Sequence, residues 1–191
     1  MHMAITQNTA DNVSALSGVV GGYFFVAQEG TTLPTDADTV LGAGFSNLGF
    51  VTSDGITVDD TETTETTKDL NNSSVDDTVT DEDHTLKLTL LEYFRPEALK
   101  AIYGDGNVTV KPDGSIVVNH TSGNRKRCVF VGEFLRNDGS KYRMVVPSGK
   151  VVEVGSLTIA KGTKAMREMT IRAYRTSSAP AIVDYIGKAG E

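Results

Sequence analysis

Cysteine is almost missing from this 191-residue chain: Cys128 stands alone, so no internal disulfide framework can hold the fold. Tryptophan is absent and aromatic residues make up only 7% of the chain, which argues against a surface built to stack sugars or nucleic-acid bases. No segment approaches the roughly 18–20 apolar residues a spanning helix needs. The N-terminus has no basic region followed by a hydrophobic one, so no secretory leader is predicted. Basic residues are also scarce at the front. Positions 1–85 hold fifteen Asp/Glu against Lys68 alone, a formal charge of −14. Positions 86–191 hold seventeen Lys/Arg against ten Asp/Glu, a charge of +7, and the two parts give the −7 of the whole. Such asymmetry points to an interaction role, because it gives the molecule both halves of a complementary contact. The plainer alternative is a solvated acidic loop beside an ordinary mixed surface.

What is present points to strands. The length fits one domain, or one domain with long loops, and 19 glycines favour turns. Met1-His2 reads as an expression remnant, with Met3 the natural start. Polar residues 1–18 are expected to form a flexible N-terminal arm, and 19–191 a β domain. Residues 19–28 read as the first strand. Segments 48–52 and 56–58 flank Asp54-Gly55, a hairpin-turn signal. Residues 59–83 carry ten acidic side chains and one basic one, many threonines and almost no large apolar group. That segment is too polar for a buried strand. It reads either as disorder or as a long extended excursion that becomes ordered only against a neighbour.

Further along, 86–91 alternates apolar and polar residues as a strand does. Pro96 and Gly104 bracket a short helix with Ala98, Leu99, Ile102 and Tyr103 on one stripe. Hairpins are predicted around Pro112-Asp113-Gly114 and, between strands at 128–135 and 142–146, around Asn137-Asp138-Gly139-Ser140. Met169, Ile171 and Ala173 alternate with polar residues, and 181–186 reads as a last edge strand. The fold class expected is mainly β: an antiparallel sandwich or barrel of about eight strands with one short flanking α-helix and a long polar loop at 59–83.

Catalytic constellations are missing. Asp81-Glu82-Asp83-His84 has metal-ligand residue types, but in an extended chain only Asp81 and Asp83 face one way, so no metal site is expected. Gly42-Ala43-Gly44 and Gly21-Gly22 lack the features of a phosphate loop, and no Gly-x-Ser-x-Gly elbow occurs. Cys128 lies in an apolar run and reads as a buried structural thiol. The chain is therefore expected to have no catalytic residues and no cofactor. Asn124-Arg125-Lys126-Arg127 could grip phosphates, with Arg167, Arg172 and Arg175 further on. The pI near 5.0 opposes a dedicated nucleic-acid binder. Pairing with acidic surface on another copy fits better, with Asp59, Asp60, Glu62 and Glu65 meeting Arg125, Lys126 and Arg127. An acidic chain would also let DNA pass without sticking.

One family shares this order of parts. Residues 12–28 followed by Glu29-Gly30-Thr31-Thr32-Leu33-Pro34-Thr35-Asp36-Ala37, then Phe45-Ser46-Asn47-Leu48-Gly49-Phe50-Val51-Thr52-Ser53-Asp54-Gly55, a long polar loop, and Leu86-Lys87-Leu88-Thr89-Leu90-Leu91-Glu92 leading into a helix ending at Gly104 resemble the major tail (tail-tube) proteins of long-tailed, non-contractile bacteriophages. The resemblance covers most of 12–175 and is looser in the C-terminal hairpins. Family members often carry a tryptophan with a nearby glycine in the long loop, whereas this chain has Lys68-Asp69-Leu70-Asn71-Asn72. The resemblance implies a virion subunit, made in the host cytoplasm, that assembles as stacked hexameric rings. Joined sheets would line a lumen that passes DNA and the tape-measure protein. It also implies tail-terminator and tail-tip proteins as partners, and no membrane. The alternatives are a receptor- or carbohydrate-binding β-sandwich and a small metal-dependent enzyme.

Overall fold

The computed structural model describes residues 13–121, 123 and 125–188. The strands in chain order are β1 (Leu16–Gly18), β2 (Phe24–Gln28), β3 (Ser46–Asn47), β4 (Val51–Lys68) and β5 (Ser74–Leu90). Helix α1 (Pro96–Tyr103) follows. After it come β6 (Val108–Val110), β7 (Ile116–Val118), β8 (Cys128–Arg136), β9 (Lys141–Val154), β10 (Arg167–Ala173) and β11 (Val183–Ile186). Nine strands form one antiparallel sheet in the order β3-β2-β8-β9-β10-β5-β4. There β1 runs beside the end of β8, and β11 shares β9 with β10. β6 and β7 pair separately. The expected mainly-β class with one flanking helix is what the chain adopts.

Alternation builds the main core. Leu86, Leu88 and Leu90 of β5 lie on the same side as Met169, Ile171 and Ala173 of β10, and all six are buried in one cluster. Ala98, Leu99, Ile102 and Tyr103 of α1 belong to that cluster. Full burial of a large aliphatic side chain contributes roughly 1.5–3 kcal/mol. That docking holds a helix of eight residues, which is too short to persist alone. Pro96 starts it and Gly104, at φ 91°, ends it in a conformation that favours glycine.

The opposite face of β2, β8 and β9 has its own apolar cluster: Ala27, Val129, Val131 and Val145, covered by Leu33, Leu41 and Phe45. The covering segment, residues 29–45, has no regular structure and is pinned by Arg143, which is 2% exposed. The Arg143 guanidinium pairs with the Glu133 carboxylate and donates to the carbonyls of Asp36 and Thr39, each at 2.6 Å. Asp36 accepts hydrogen bonds from the Thr39 hydroxyl and from the N–H groups of Thr39 and Asp38. These bonds, with a smaller contribution from Arg143, lower its pKa from 3.8 to about 2.

Four expectations change. The first strand begins only at Phe24, because Val19–Gly22 forms a turn closed by a Gly22 N–H to Val19 carbonyl bond. Asp54-Gly55 is not a hairpin turn. Val51 faces Leu90 and Ile56 faces Leu88, so residues 52–55 bulge from a single strand, and Gly55 takes φ 79°. A left-handed glycine serves a bulge as readily as a turn. β9 is far longer than the predicted 142–146. It changes neighbour around Pro147, which has no N–H to offer: Val145 faces Val183 of β11 and Gly149 faces Ala173 of β10. Finally, 59–83 is neither loop nor disorder but the outer part of a β4–β5 hairpin. Of the expected N-terminal arm, residues 1–12 lie outside the described residues, and its end forms β1 against Leu135 and Arg136.

Candidate functional site

The hairpin becomes an arm because its neighbour stops. β10 accompanies β5 from Leu90 to His84 and ends there, opposite Ala173. Beyond His84 the two strands continue to the turn with no third strand beside them among the described residues. Threonines at 61, 63, 64, 66, 67, 78 and 80 favour an extended backbone without needing burial. Both faces of the arm are exposed. From Asp60 to the turn it reaches about 25–30 Å at roughly 3.3 Å per residue.

Three polar contacts brace its base. Asp60 meets His84 Nδ1 at 2.6 Å directly across the ladder. Arg172 grips both oxygens of Asp83, at 2.8 and 2.9 Å, and Arg175 lies 3.8 Å from Glu82. Further out the pairing is less favourable, since Glu62 stands opposite Glu82 and like charges across a ladder repel. The turn is self-sufficient. Asp69 accepts from the N–H groups of Asn71 and Ser73, at 2.9 and 2.7 Å. Asn72 sits at φ 62°, which asparagine tolerates. Lys68-Asp69-Leu70-Asn71-Asn72 therefore closes the arm with neither tryptophan nor glycine. Leu70, at the tip, is fully exposed.

The predicted acidic residues all fall on this arm or its base. Asp60 is tied to His84, whereas Asp59, Glu62 and Glu65 have no side-chain partner among the described residues. The basic triplet is divided. Arg125 Nε donates to the Ile102 carbonyl at 2.7 Å, near the end of α1, and Arg127 lies 4.2 Å over the Tyr174 ring. Lys126 is exposed and shares a cleft with Lys100, Glu97 and Asp105. Among the described residues, no ion pair joins the arm to this triplet within one chain. Asn124 lies outside the described residues.

The residues once weighed for chemistry have other tasks. Asp83, Glu82 and His84 are the braces of the arm, and no three His, Cys, Asp or Glu among the described residues converge as metal ligands. His120 packs against Tyr103, ring centroids 4.5 Å apart. Burial, with the nearby carboxylates Asp105 and Glu29, raises the Cys128 thiol pKa, the wrong direction for a nucleophile. An apolar cleft of about 900 Å³ opens between the β4 bulge and the sheet, lined by Val20, Phe50, Val58, Phe134 and Met144 among others. No described helix is long and apolar enough to cross a membrane. The sequence reading missed the braces and this cleft. Even with 59–83 taken as a hairpin, counting back from the turn would not pair His84 with Asp60, because irregularities at Thr63/Thr64 and Thr67/Lys68 shift the register between them.

A family model described as phage tail tube protein matches residues 8–190. Among solved structures, the chain is similar to the cryo-EM structure of the anti-feeding prophage cap (AFP tube terminating cap). The identity is 13%, the match covers 97% of this chain and 100% of that one, and the TM-score is 0.43. No curated protein matches it in sequence.

Proposed function

The chain belongs to the phage tail tube protein family, and on that premise we propose that it is a self-assembling tube subunit whose arm docks on a neighbouring copy. The copies form rings, by family resemblance hexameric, and the rings stack into a tube that passes DNA during delivery. The family itself is structural, and the role proposed is non-catalytic with no cofactor. The protein is placed in the virion tail, after synthesis in the host cytoplasm. The tape-measure, tail-terminator and tail-tip proteins are its proposed partners beside itself.

The observation that carries this reading is the arm. A two-stranded hairpin with no buried face is marginal in water. Here one projects about 25–30 Å, with Glu62 facing Glu82, and among the described residues no further strand pairs with β4 along the arm. An open edge of that length is a template for another chain, and its acidic side chains suit basic surface. Asp59, Glu62 and Glu65 are free for such a contact, and Lys126 and Arg127 remain candidate receivers. Contact between unlike surfaces closes rings or builds filaments, according to geometry.

Negative-stain microscopy of concentrated protein tests the reading directly. Rings or tubes are expected from the intact chain. A variant in which 61–82 is replaced by a short Asn-Gly turn is expected to stay monomeric while keeping its thermal unfolding transition. Intact protein that remains monomeric at every concentration would sink the proposal.

A further inference from the structure

The arm leaves one end of the sheet, and a different feature leaves the other. The seven registered pairs between β10 and β5 run from Arg167 opposite Leu90 to Ala173 opposite His84. The arm continues past His84. The segment that enters β10 at Arg167, residues 155–166, therefore projects from the opposite end, about 20 Å away along the strands.

This segment is a tongue with a definite shape. At its roots Leu157 and Ala165 pack against the main core, and the Gly155 N–H bonds the Glu168 carbonyl. At its tip a turn is closed by the Thr163 N–H to the Ala160 carbonyl, with Gly162 at φ 80°. Lys161 and Lys164 are exposed there, with no side-chain partner among the described residues. Between Gly155 and Arg167 there is no acidic residue. Of the flanking carboxylates, Glu168 is already paired with Lys87 at 3.2 Å, which leaves Glu153. Ile159 is 90% exposed beside the lysines. A projection holding a bare isoleucine beside two unpaired lysines is an unfilled contact.

The outer half of the arm is its complement. Residues 64–80 carry Glu65, Asp69, Asp76 and Asp77 against Lys68, and they expose Leu70 at the tip and Val75 beside it. We infer that the outer half of the arm on one copy seats on the 155–166 tongue of the next, Leu70 against Ile159 and Glu65 and Asp76, which share one face of the arm, against Lys161 and Lys164. This rests on the self-assembly reading above and names the receiving surface. Because acidic arm and basic tongue leave opposite ends, the contact is head-to-tail. Each copy that receives an arm offers its own to the next, so the contact repeats from copy to copy, closing a ring or extending a filament as its rotation dictates. The Arg125–Arg127 region is the competing receiver.

Charge exchange tests it. Lys161→Glu/Lys164→Glu is expected to raise the concentration needed for half-assembly about tenfold, from two ion pairs and their apolar neighbour. Glu65→Lys/Asp76→Lys is expected to do the same. The two variants mixed, or all four changes in one chain, should restore assembly. In a Cys128→Ser background, Leu70→Cys with Ile159→Cys should give disulfide-linked ladders in assembled protein and none in monomer. If the tongue variant assembles like the parent, or Leu70→Cys cross-links to Lys126→Cys and not to Ile159→Cys, the inference fails and the self-assembly reading stands. If the intact chain never assembles, both fail.

Discussion

Arg143 ties the 29–45 segment to the sheet it covers. Its guanidinium lies in the sheet at 2% exposure, and among the described residues it alone supplies side-chain donors to the carbonyls of Asp36 and Thr39 and to the Glu133 carboxylate. Removing it leaves three acceptors without their partner. Breaking a buried ion pair by losing one member costs about 3–5 kcal/mol, and the partial exposure of Glu133 favours the lower end. Arg143→Ala is therefore expected to lower the melting temperature by about 6–12 °C in a chain of this size. Asp36 gives the same clasp a pH signature. Its folded pKa, about 2, lies below the ordinary 3.8. The stability it contributes is present in full above about pH 4 and is lost as the pH falls toward 2. Melting temperatures measured from pH 7 to pH 2 should fall through that window. Asp36→Asn should flatten the fall and start lower at neutral pH. An Asp36→Asn variant with the parent's acid profile would show that the clasp does not depend on this carboxylate.

Elements held by burial were legible in the sequence, and elements held by something else were not. Helix α1 was readable because four apolar residues recur at helical spacing between a proline and a glycine. β5 and β10 were readable because alternation at Leu86–Leu90 and Met169–Ala173 is what a sheet with one buried face requires. The arm defeated the same logic. Its strands bury nothing, so hydrophobic pattern carried no information about them, and only the threonine content did. Pro147 hid the length of β9, since proline argues against a central strand unless the strand is changing neighbours there. For the candidate site, the acidic half could be located from composition, but its braces could not. Arg172 and Arg175 reach Asp83 and Glu82 across about 90 residues of chain, and only the fold brings them together. This difference in support predicts a difference in opening. Amide hydrogen exchange in the monomer should be fast for 61–80 and slow for β8 and β9, whose interior positions are buried. On assembly the arm amides should become protected while those of β8 and β9 hardly change. Equal protection of the arm in monomer and assembled protein would mean that it needs no neighbour.

Taken whole, the molecule carries a net charge of −7 together with an acidic projection and a basic one at opposite ends, and these act over different distances. Net charge repels copies at long range. Ion pairs between arm and tongue attract at a few ångströms. Salt separates the two effects, since the screening length falls from about 30 Å at 0.01 M to about 10 Å at 0.1 M and about 3 Å at 1 M. At 0.01 M the repulsion between whole subunits is felt across the approach and opposes assembly. Near 0.1–0.2 M that repulsion is largely screened, while contacts shorter than the screening length survive. At 1 M the exposed pairs, each contributing about 0–1 kcal/mol, are weakened as well. The concentration for half-assembly, followed by light scattering or sedimentation from 0.01 to 1 M KCl, should therefore pass through a minimum near 0.1–0.2 M. The Lys161→Glu/Lys164→Glu variant loses the attractive contact and gains four more units of negative charge. It should need more salt at every concentration and show no upturn at 1 M. A parent curve that fell steadily to 1 M would mean that apolar burial alone joins the copies, and that the separation of charge between the two ends has no part in holding them.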